Sequence, residues 1–285
     1  MKIAIFGAGG QLGRALQGTR PLGSKLLALT RTDLDIADPD AVDRIVGAGR
    51  ADIVINTAAY NAVDAAEADT ETAFLINGEA PGYMAQSCAK HGARFVHLST
   101  DYVFDGTGDD PIAPGSAANP ISVYGRSKRA GEEAVLAHSD TLVVRTSWLY
   151  GGYGSNFLTT MLRLMGERDE LGIVADQIGV PTHTESLALG IWALAKAQAS
   201  GIHHFTDNGI TTWHGFASAI EEKARSVGLI GGCDVRPITT EEYPTPAARP
   251  RYSVLDCTDT WTITGEPRAW DEELDIALDI WKASQ

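Results

Sequence analysis

A chain of 285 residues that is 44% hydrophobic and 21% charged is long enough for one large domain, or for a domain with a smaller lobe. Its net charge of -14 argues against a nucleic-acid partner, because such partners usually require a basic face. No apolar run approaches the ~18 residues of a membrane span, and no signal-peptide pattern opens the chain, so we predict a cytoplasmic protein without a membrane partner.

Short apolar runs alternate with helical patterns through the first half of the chain. This alternation predicts an α/β fold, a Rossmann-type doubly wound parallel sheet with helices on both faces. The predicted strands lie at residues 2–6, 26–29, 52–55, 95–98 and 142–145. The predicted helices between them lie at residues 11–17, 40–47, 70–91 and 123–138.

The regular alternation ends near residue 150. Beyond it, the sequence predicts four helices and a proline-rich, arginine-bearing loop at 237–250. The helices are predicted at residues 156–167, 186–197, 213–227 and 271–282. We therefore predict a smaller C-terminal lobe at 151–285, some of whose segments return to the sheet of residues 1–150, so that the boundary is not sharp.

A glycine-rich loop follows the first predicted strand and opens the first predicted helix. Gly7, Gly10 and Gly13 are spaced G-x-x-G-x-x-G. The first glycine allows a tight turn, the second lets the backbone approach a pyrophosphate, and the third lets the helix pack on the strand. The N–H groups of the helix N-terminus suit the anion. Residues 1–150 are thus predicted to form an NAD(P)-binding domain, and the lobe to bind mainly the substrate.

The second predicted strand ends in Thr30-Arg31-Thr32, without the acid that commonly binds the ribose of NAD. Arg31 is suited to a 2′-phosphate, which favours NADPH and leaves NADH possible. The alternative is that Arg31 is an ordinary solvated arginine.

Tyr124 and Lys128 lie four residues apart at the start of a predicted helix, and so share one face. A carbonyl reductase must donate a proton to the carbonyl oxygen, and an unperturbed tyrosine titrates near ~10. We expect the nearby lysine to stabilise tyrosinate and lower that pKa. Thr100 follows the fourth predicted strand, at the sheet edge where ligands bind in such folds. The predicted catalytic residues are therefore Thr100, Tyr124 and Lys128.

Further motifs are spread over nearly the whole chain. They are LDIAD (34–38), NTAAYNAVDAAE (56–67), STDYVFDG (99–106), YGRSK (124–128), RTSWLYG (145–151), DQIGVPT (176–182) and TPAARPRYSVLD (245–256). Together with the glycine loop they resemble the extended short-chain dehydrogenase/reductase superfamily, and within it the dTDP-4-dehydrorhamnose reductase family.

The resemblance implies a set of binding residues. The implied cofactor contacts, added to Gly7 and Arg31, are Gly10, Gln11 and Leu12 at the pyrophosphate, Asp35 and Ile36 by the adenine, Ala58, Ala59 and Tyr60 after the third strand, and Tyr102, Tyr124 and Lys128. The implied substrate contacts are Asn61, Val63, Thr100, Asp101, Trp148, Asn156 and Arg249. Arg249 has two interpretations, as a ligand of the substrate's diphosphate or as a partner of a surface acid.

The resemblance also implies a reaction. NADPH would reduce the C4 ketone of dTDP-4-dehydro-6-deoxy-L-mannose, and Tyr124 would protonate O4. The product, dTDP-L-rhamnose, is a precursor of cell wall polysaccharide and O antigen, and this is the last step of its synthesis. The small-molecule dTDP-sugar is thus the implied partner, and the protein is expected to be a monomer or a homodimer.

The sequence departs from the family in two places. Asn61 stands where the family usually has threonine. The first helix lacks the glutamate through which some members dimerise around Mg²⁺, so no metal site is predicted and the use of Mg²⁺ stays open. Cys88, Cys233 and Cys257 have no metal-ligand spacing and are predicted to be buried free thiols.

Two other functions are compatible with the same fold. A nucleotide-sugar dehydratase would carry an Asp-Glu pair after the threonine, whereas Tyr102 follows Asp101 here. Another nucleotide-sugar reductase, or an epimerase that recycles bound NAD, remains open. A non-catalytic regulatory NADP-binding homologue, such as the regulatory subunit of methionine adenosyltransferase, would lack the tryptophan at position 148.

Overall fold

The centre of the molecule is a six-stranded parallel sheet in the order β2-β1-β3-β4-β5-β10, in a computed structural model that describes residues 1–284. Its strands are β1 (Lys2–Phe6), β2 (Lys25–Leu29), β3 (Ile53–Asn56), β4 (Arg94–Thr100), β5 (Thr141–Thr146) and β10 (Gly201–His204). The residues of β3 and β5 are all buried, which explains why they form near-continuous apolar runs. The strand order reverses direction between β1 and β3, where doubly wound sheets bind ligands.

Helices cover both faces of the sheet, as the α/β prediction required. The helices are α1 (Gln11–Gly18), α2 (Pro39–Gly49), α3 (Val63–Ala66), α4 (Thr70–Phe74), α5 (Ala80–His91), α6 (Val123–Leu136), α7 (Phe157–Glu167), α8 (Thr184–Lys196), α9 (Trp213–Ser226), α10 (Thr258–Thr264) and α11 (Trp270–Ala283). On one face, α1 and α8 pack together over the sheet through Leu16, Leu187 and Ile191. On the other face, α2, α5 and α6 pack side by side, and Val46 and Met84 belong to their shared core. The α/β fold class is therefore confirmed.

The long helix predicted at 70–91 is present but is not a regular α-helix. A π-helical segment, Leu75–Glu79, separates α4 from α5. A π-turn holds one more residue than an α-turn and therefore rotates the side chains that follow it. The apolar spacing of the sequence does not reveal this insertion.

The second half of the chain adds three two-stranded ladders and a core of its own. The ladder strands are β6 (Leu149–Tyr150) with β9 (Thr182–His183), β7 (Glu170–Val174) with β12 (Asp234–Ile238), and β8 (Ile178–Gly179) with β11 (Thr211–Thr212). Helices α7, α9 and α11 surround a buried cluster that includes Tyr150, Phe216 and Leu274. The loop predicted to begin at Pro237 begins later, because Pro237 and Ile238 extend β12 along the edge of β7.

Two smaller expectations concern the cysteines and the membrane. All three cysteines are free and buried, as predicted. Across residues 1–284, every helix is too short or too polar to span a bilayer.

Candidate active site

The glycine loop meets the end of β3 at the point where the strand order reverses. Gly7 has a φ of +81°, and a Cβ added to it would lie 2.5 Å from the backbone nitrogen of Ala58. Only glycine fits this close approach. Gly10 then begins α1 as its N-cap without any side-chain cap, so the first-turn N–H groups face outward from the loop. The N–H groups of this first turn are of the kind that can hold an anion such as a pyrophosphate.

The turn after β2 is held by Asp33. Its Oδ2 accepts hydrogen bonds from the backbone N–H of Thr30 at 2.8 Å and from the Thr30 hydroxyl at 2.6 Å, and these bonds lower the pKa of Asp33. The carboxylate of Asp33 is therefore hydrogen-bonded within its own turn, and Arg31 is exposed beside it. Asp35, predicted to lie by the adenine, is exposed and accepts from the N–H of Ala37. Ile36 is half-buried.

A buried amide, Asn77, ties the end of β3 to α6. Its Oδ1 accepts from the N–H of Tyr60 at 2.8 Å, and its Nδ2 donates to the Tyr60 carbonyl and to the hydroxyl of Ser127, both at 3.0 Å. Asn77 lies in the π-helical segment and is 1% exposed. It therefore fixes the predicted cofactor wall at Tyr60 relative to the helix of Tyr124 and Lys128. The sequence offered one signal that we missed, a polar amide on the buried face of a helix.

Helix α6 carries two predicted catalytic residues and begins at the edge of β4. Its first turn is capped twice: the hydroxyl of Ser122 accepts from the N–H of Gly125 at 3.1 Å, and Oε1 of Glu67 accepts from the N–H of Val123 at 2.7 Å. Lys128 is 3% exposed, and its Nζ donates to the Leu98 carbonyl in β4 at 2.6 Å. The helix is therefore anchored so that the Tyr124–Lys128 face lies over the end of β4.

Thr100 and Asp101 form the turn in which β4 ends. The Thr100 hydroxyl donates to Oδ1 of Asp101 at 2.9 Å and accepts from the N–H of Tyr102 at 3.2 Å. The rings of Tyr102 and Tyr124 meet edge to face, with centroids 5.6 Å apart. The structure thus brings together Thr100, Asp101, Tyr102, Tyr124 and Lys128 at one edge of the sheet.

An apolar shell surrounds Tyr124. The side chains packed there are Ala66, Ala73 and Val123, which are buried, and Tyr60, Val63, Phe74 and Tyr102, which are half-buried. Val63 and Tyr60, both predicted ligand contacts, are therefore neighbours of the tyrosine ring. Asn61 is exposed at the same loop, and Ala58 and Ala59 are half-buried before it.

Burial is the main cause of the pKa shifts of Asp101, Lys128 and Tyr124. It raises the pKa of Asp101 to about 6 and lowers the pKa of Lys128 to about 8, against an opposing effect of Glu132. The pKa of Tyr124 is raised, not lowered as its spacing from Lys128 predicted. Burial is the main cause and the negative charge of Asp101 adds to it, while hydrogen bonding with Thr100 acts in the opposite direction.

Trp148 lies just past β5 in a strained conformation. Its φ is +44°, in the left-handed region that costs a bulky residue roughly 1–2 kcal/mol. Its indole stacks on Trp213, with centroids 3.7 Å apart and planes 10° apart. Asn156, the N-cap of α7, donates from Nδ2 to Oε1 of Gln11 at 2.8 Å, so a predicted substrate residue touches a predicted cofactor residue.

Arg249 is engaged by an acid. Its guanidinium donates to both carboxylate oxygens of Asp64, at 3.0 and 2.8 Å, and to the carbonyl of Ala247 at 3.0 Å. Of the two interpretations of Arg249, the structure shows the one in which it pairs with an acid. Burial is the main cause of the raised pKa of Tyr102, and the pair acts on it too: Arg249 lowers it and Asp64 raises it, so the pair lies near the catalytic edge. In residues 1–284, no three His, Cys, Asp or Glu side chains are grouped closely enough to hold a metal ion.

Comparisons with known proteins agree with this geometry. A family model described as the RmlD substrate binding domain matches residues 1–282. A dTDP-4-dehydrorhamnose reductase of Burkholderia thailandensis is 44% identical over 268 residues, which are 90% of each chain. The crystal structure of a dTDP-4-dehydrorhamnose reductase from Clostridium acetobutylicum superposes with a TM-score of 0.93 at 39% identity, covering 99% of this chain and 100% of that one. The corresponding Bacillus anthracis enzyme, crystallised in complex with NADP, gives 0.92 at 37% identity and covers 97% and 98%.

Proposed function

The chain belongs to the RmlD substrate-binding-domain family, and from this premise we propose that it is an NADPH-dependent reductase of dTDP-4-dehydrorhamnose. The substrate would be dTDP-4-dehydro-6-deoxy-L-mannose and the product dTDP-L-rhamnose. The observation that carries the proposal is the convergence of Thr100, Tyr124 and Lys128 at the carboxyl edge of β4, on a sheet whose reversal point holds the glycine loop.

The residues present fit a dinucleotide. The close approach at Gly7 and the uncapped start of α1 at Gly10 would take the pyrophosphate, with Gln11 and Leu12 beside it. NADPH is favoured over NADH because Asp33 is turned back on Thr30 and Arg31 is exposed at the end of β2, and because the Bacillus anthracis relative was crystallised with NADP. When bound, the nicotinamide supplies the hydride that reduces C4.

The chain's own residues supply and control the proton. Tyr124 would donate its phenolic proton to O4, and its raised pKa keeps that proton in place at neutral pH until the oxygen becomes basic. Lys128, buried one turn along α6, would stabilise the tyrosinate left behind. The Thr100 hydroxyl would hydrogen-bond O4 in exchange for its present bond to Asp101.

The lobe of residues 151–285 is proposed to provide most of the remaining substrate contacts. Trp148 stacks on Trp213 of the lobe, and Asn156 donates to Gln11 of the nucleotide loop, which suits a wall over the sugar. Arg249 would reach a diphosphate only if its bonds to Asp64 rearranged, so we assign it a weaker role than the sequence suggested. We also propose that the first helix does not link a dimer through Mg²⁺, because it carries no acid.

The test is a reduction assay on the purified protein. dTDP-4-dehydro-6-deoxy-L-mannose is generated in situ by the upstream enzymes, and the absorbance loss of NADPH or NADH is followed together with the formation of dTDP-L-rhamnose. We expect one NADPH consumed per product molecule and a lower rate with NADH. Product formation without reductant would indicate an epimerase. Folded protein that oxidises neither cofactor would indicate the non-catalytic alternative.

A further inference from the structure

We propose that Trp213 and Gly179 position Trp148 against the sugar, and that this aromatic clamp of Trp148, Trp213 and Gly179 determines how tightly the sugar is held. The inference rests on the proposed function, since it assumes that Trp148 closes over the sugar. Neither Trp213 nor Gly179 belongs to the predicted catalytic or binding residues, and they lie 65 and 31 positions from Trp148 in the chain.

One side of the clamp is an indole stack. Trp213 lies parallel to Trp148 at a centroid distance of 3.7 Å, and Phe157 supports Trp213 from α7 at 4.7 Å with planes tilted by 46°. Phe157 in turn stacks on buried Phe216 at 5.3 Å. Trp148 is therefore connected through aromatic contacts to the core of the lobe, and it is not free to rotate as an isolated surface tryptophan would be.

On the other side of the clamp, the indole of Trp148 lies against Gly179, which has no side chain. A Cβ added there would lie 2.6 Å from Cε2, 2.7 Å from Cζ2 and 2.9 Å from Nε1 of Trp148. These distances are shorter than any ordinary carbon contact, so only glycine leaves room for the indole where it lies. The edge that carries the indole N–H is thereby held against backbone, which fixes the ring's tilt as well as its position.

The two-stranded ladder β8–β11 positions both residues that contact Trp148. In the antiparallel pair β8–β11, Gly179 is opposite Thr211 and Ile178 is opposite Thr212, and Trp213 follows directly as the first residue of α9. The hydroxyl of Thr212 accepts from the N–H of Gly215 at 3.0 Å and so fixes the start of that helix. The ladder thus holds Gly179 and Trp213 at a defined separation, with Trp148 between them.

The backbone of Trp148 shows that its position is imposed by neighbours. A tryptophan at a φ of +44° is in a conformation that persists only where the surrounding structure determines it. Releasing either side of the clamp should let the indole move, so the sugar would be bound less tightly. The cofactor would bind at the glycine loop, so its affinity should stay unchanged.

The test uses four variants of the full chain. Trp213→Leu removes the stack, Trp213→Phe keeps an aromatic ring, and Gly179→Ala introduces a Cβ that contacts Trp148. Trp281→Leu is the matched control, because Trp281 packs on the same lobe core as Trp213. KM and kcat for the dTDP-sugar, the Kd for NADPH, and far-ultraviolet circular dichroism are measured for each. Stacked indoles give a coupled pair of bands, which should disappear in both Trp213 variants and persist in Trp281→Leu.

We expect Trp213→Leu and Gly179→Ala each to raise the sugar KM by about 10-fold with the NADPH Kd unchanged. Trp213→Phe should restore most of the sugar affinity, and Trp281→Leu should match the wild type. In the double variant Gly179→Ala/Trp213→Leu, the sugar KM should rise by less than the product of the two single-variant increases, because Trp148 gains room to move away.

Three outcomes overturn the clamp: a coupled band that survives Trp213→Leu, an unchanged sugar KM in both single variants, or an equal effect of Trp281→Leu. An inactive wild type with the coupled band present would instead refute the proposed function.

Discussion

The side chains of Gln11 and Asn156 are joined by a hydrogen bond of 2.8 Å, from Nδ2 of Asn156 to Oε1 of Gln11. Gln11 is the first residue of α1, at the predicted pyrophosphate site, and Asn156 caps α7 in the second half of the chain. Nε2 of Gln11 also donates to the carbonyl of Ser155 at 3.3 Å. The nucleotide loop and the predicted substrate side are therefore in direct contact, and occupancy of one can influence the other.

Replacing Asn156 should weaken this link. Asn156→Ser keeps an N-cap oxygen for α7 but loses the amide that donates to Gln11, whereas Asn156→Ala loses both. We expect both variants to bind NADPH about 3-fold more weakly. Only Asn156→Ala should lose about 1 kcal/mol of unfolding free energy through the missing cap. Fluorescence titration and urea unfolding measure the two effects, and wild-type NADPH affinity in Asn156→Ser would show that the link is dispensable.

Tyr124→Phe tests the proton donor. The variant keeps the ring that packs against Tyr102 and loses only the hydroxyl. We expect kcat to fall by roughly 10²- to 10⁴-fold while the NADPH Kd stays within about 2-fold of the wild type. Steady-state kinetics and cofactor titration check this. A variant that keeps more than a tenth of the wild-type rate would mean that another group donates the proton.

Gly7→Ala tests the close approach of the glycine loop to β3. Its Cβ would meet the nitrogen of Ala58, whereas Gly23, with a similar φ of +77°, has open space around it. Gly23→Ala therefore measures the backbone strain alone, on the order of 1 kcal/mol. We expect Gly7→Ala to lose clearly more stability and to bind NADPH at least about 10-fold more weakly. Equal behaviour of the two variants in thermal unfolding and titration would contradict the steric explanation.

Asp101 should make stability depend on pH in an unusual direction. Its pKa of about 6 lies above the value near 4 of an unfolded aspartate, so the folded protein binds the proton more tightly. The contribution is present below about pH 4 and is lost as the pH rises through about 6. The free energy of unfolding of Asp101→Asn should therefore exceed that of the wild type by on the order of 2 kcal/mol at about pH 8. The difference should be smaller at about pH 5.

Urea unfolding at the two pH values measures this difference. The exposed Asp110→Asn is the control and should leave the pH dependence as it is. A stability difference between Asp101→Asn and the wild type that does not change with pH would contradict the raised pKa.

The buried pair Glu132–Arg145 should be important for stability. Oε1 and Oε2 of Glu132 accept from Nε and Nη2 of Arg145, both at 2.7 Å, and the two side chains are 0% and 1% exposed. Glu132→Gln leaves a buried guanidinium without its carboxylate, and we expect a loss of about 3 kcal/mol. Glu167→Gln, which breaks the exposed pair with Arg163, should cost less than about 0.5 kcal/mol. Denaturant unfolding compares the two, and similar losses would refute the estimate.

Local spacing was sufficient to predict one part of the site. The glycine loop and the Tyr124–Lys128 pair are patterns within one turn or one helix, and the parallel sheet then requires both to lie at the carboxyl ends of the strands. The comparisons confirmed the family, and the parallel sheet confirmed the fold class. The individual binding residues and the boundary near residue 150 stay predictions.

Contacts between distant segments were not predictable from spacing. Asn77 reaches Tyr60 and Ser127, which lie 17 and 50 positions away, and Arg249 pairs with Asp64 across 185 positions. The sequence shows that such groups are polar but not which partner they meet. The pKa of Tyr124 was missed for the same reason, since it depends on burial and on the charge of Asp101, which only the folded chain reveals.

The way the sheet is completed limits the order in which a growing chain can fold. β10, at residues 201–204, is the only neighbour of β5 on its outer side within the described chain, and α8 packs beside α1 over one face of the sheet. When only residues 1–150 have left the ribosome, β5 therefore lacks its outer neighbour, and the part of the sheet face that α8 covers is exposed. Such an intermediate can pair with other chains through that edge. The β5 edge of the sheet stays unpaired until residue 204 has left the ribosome.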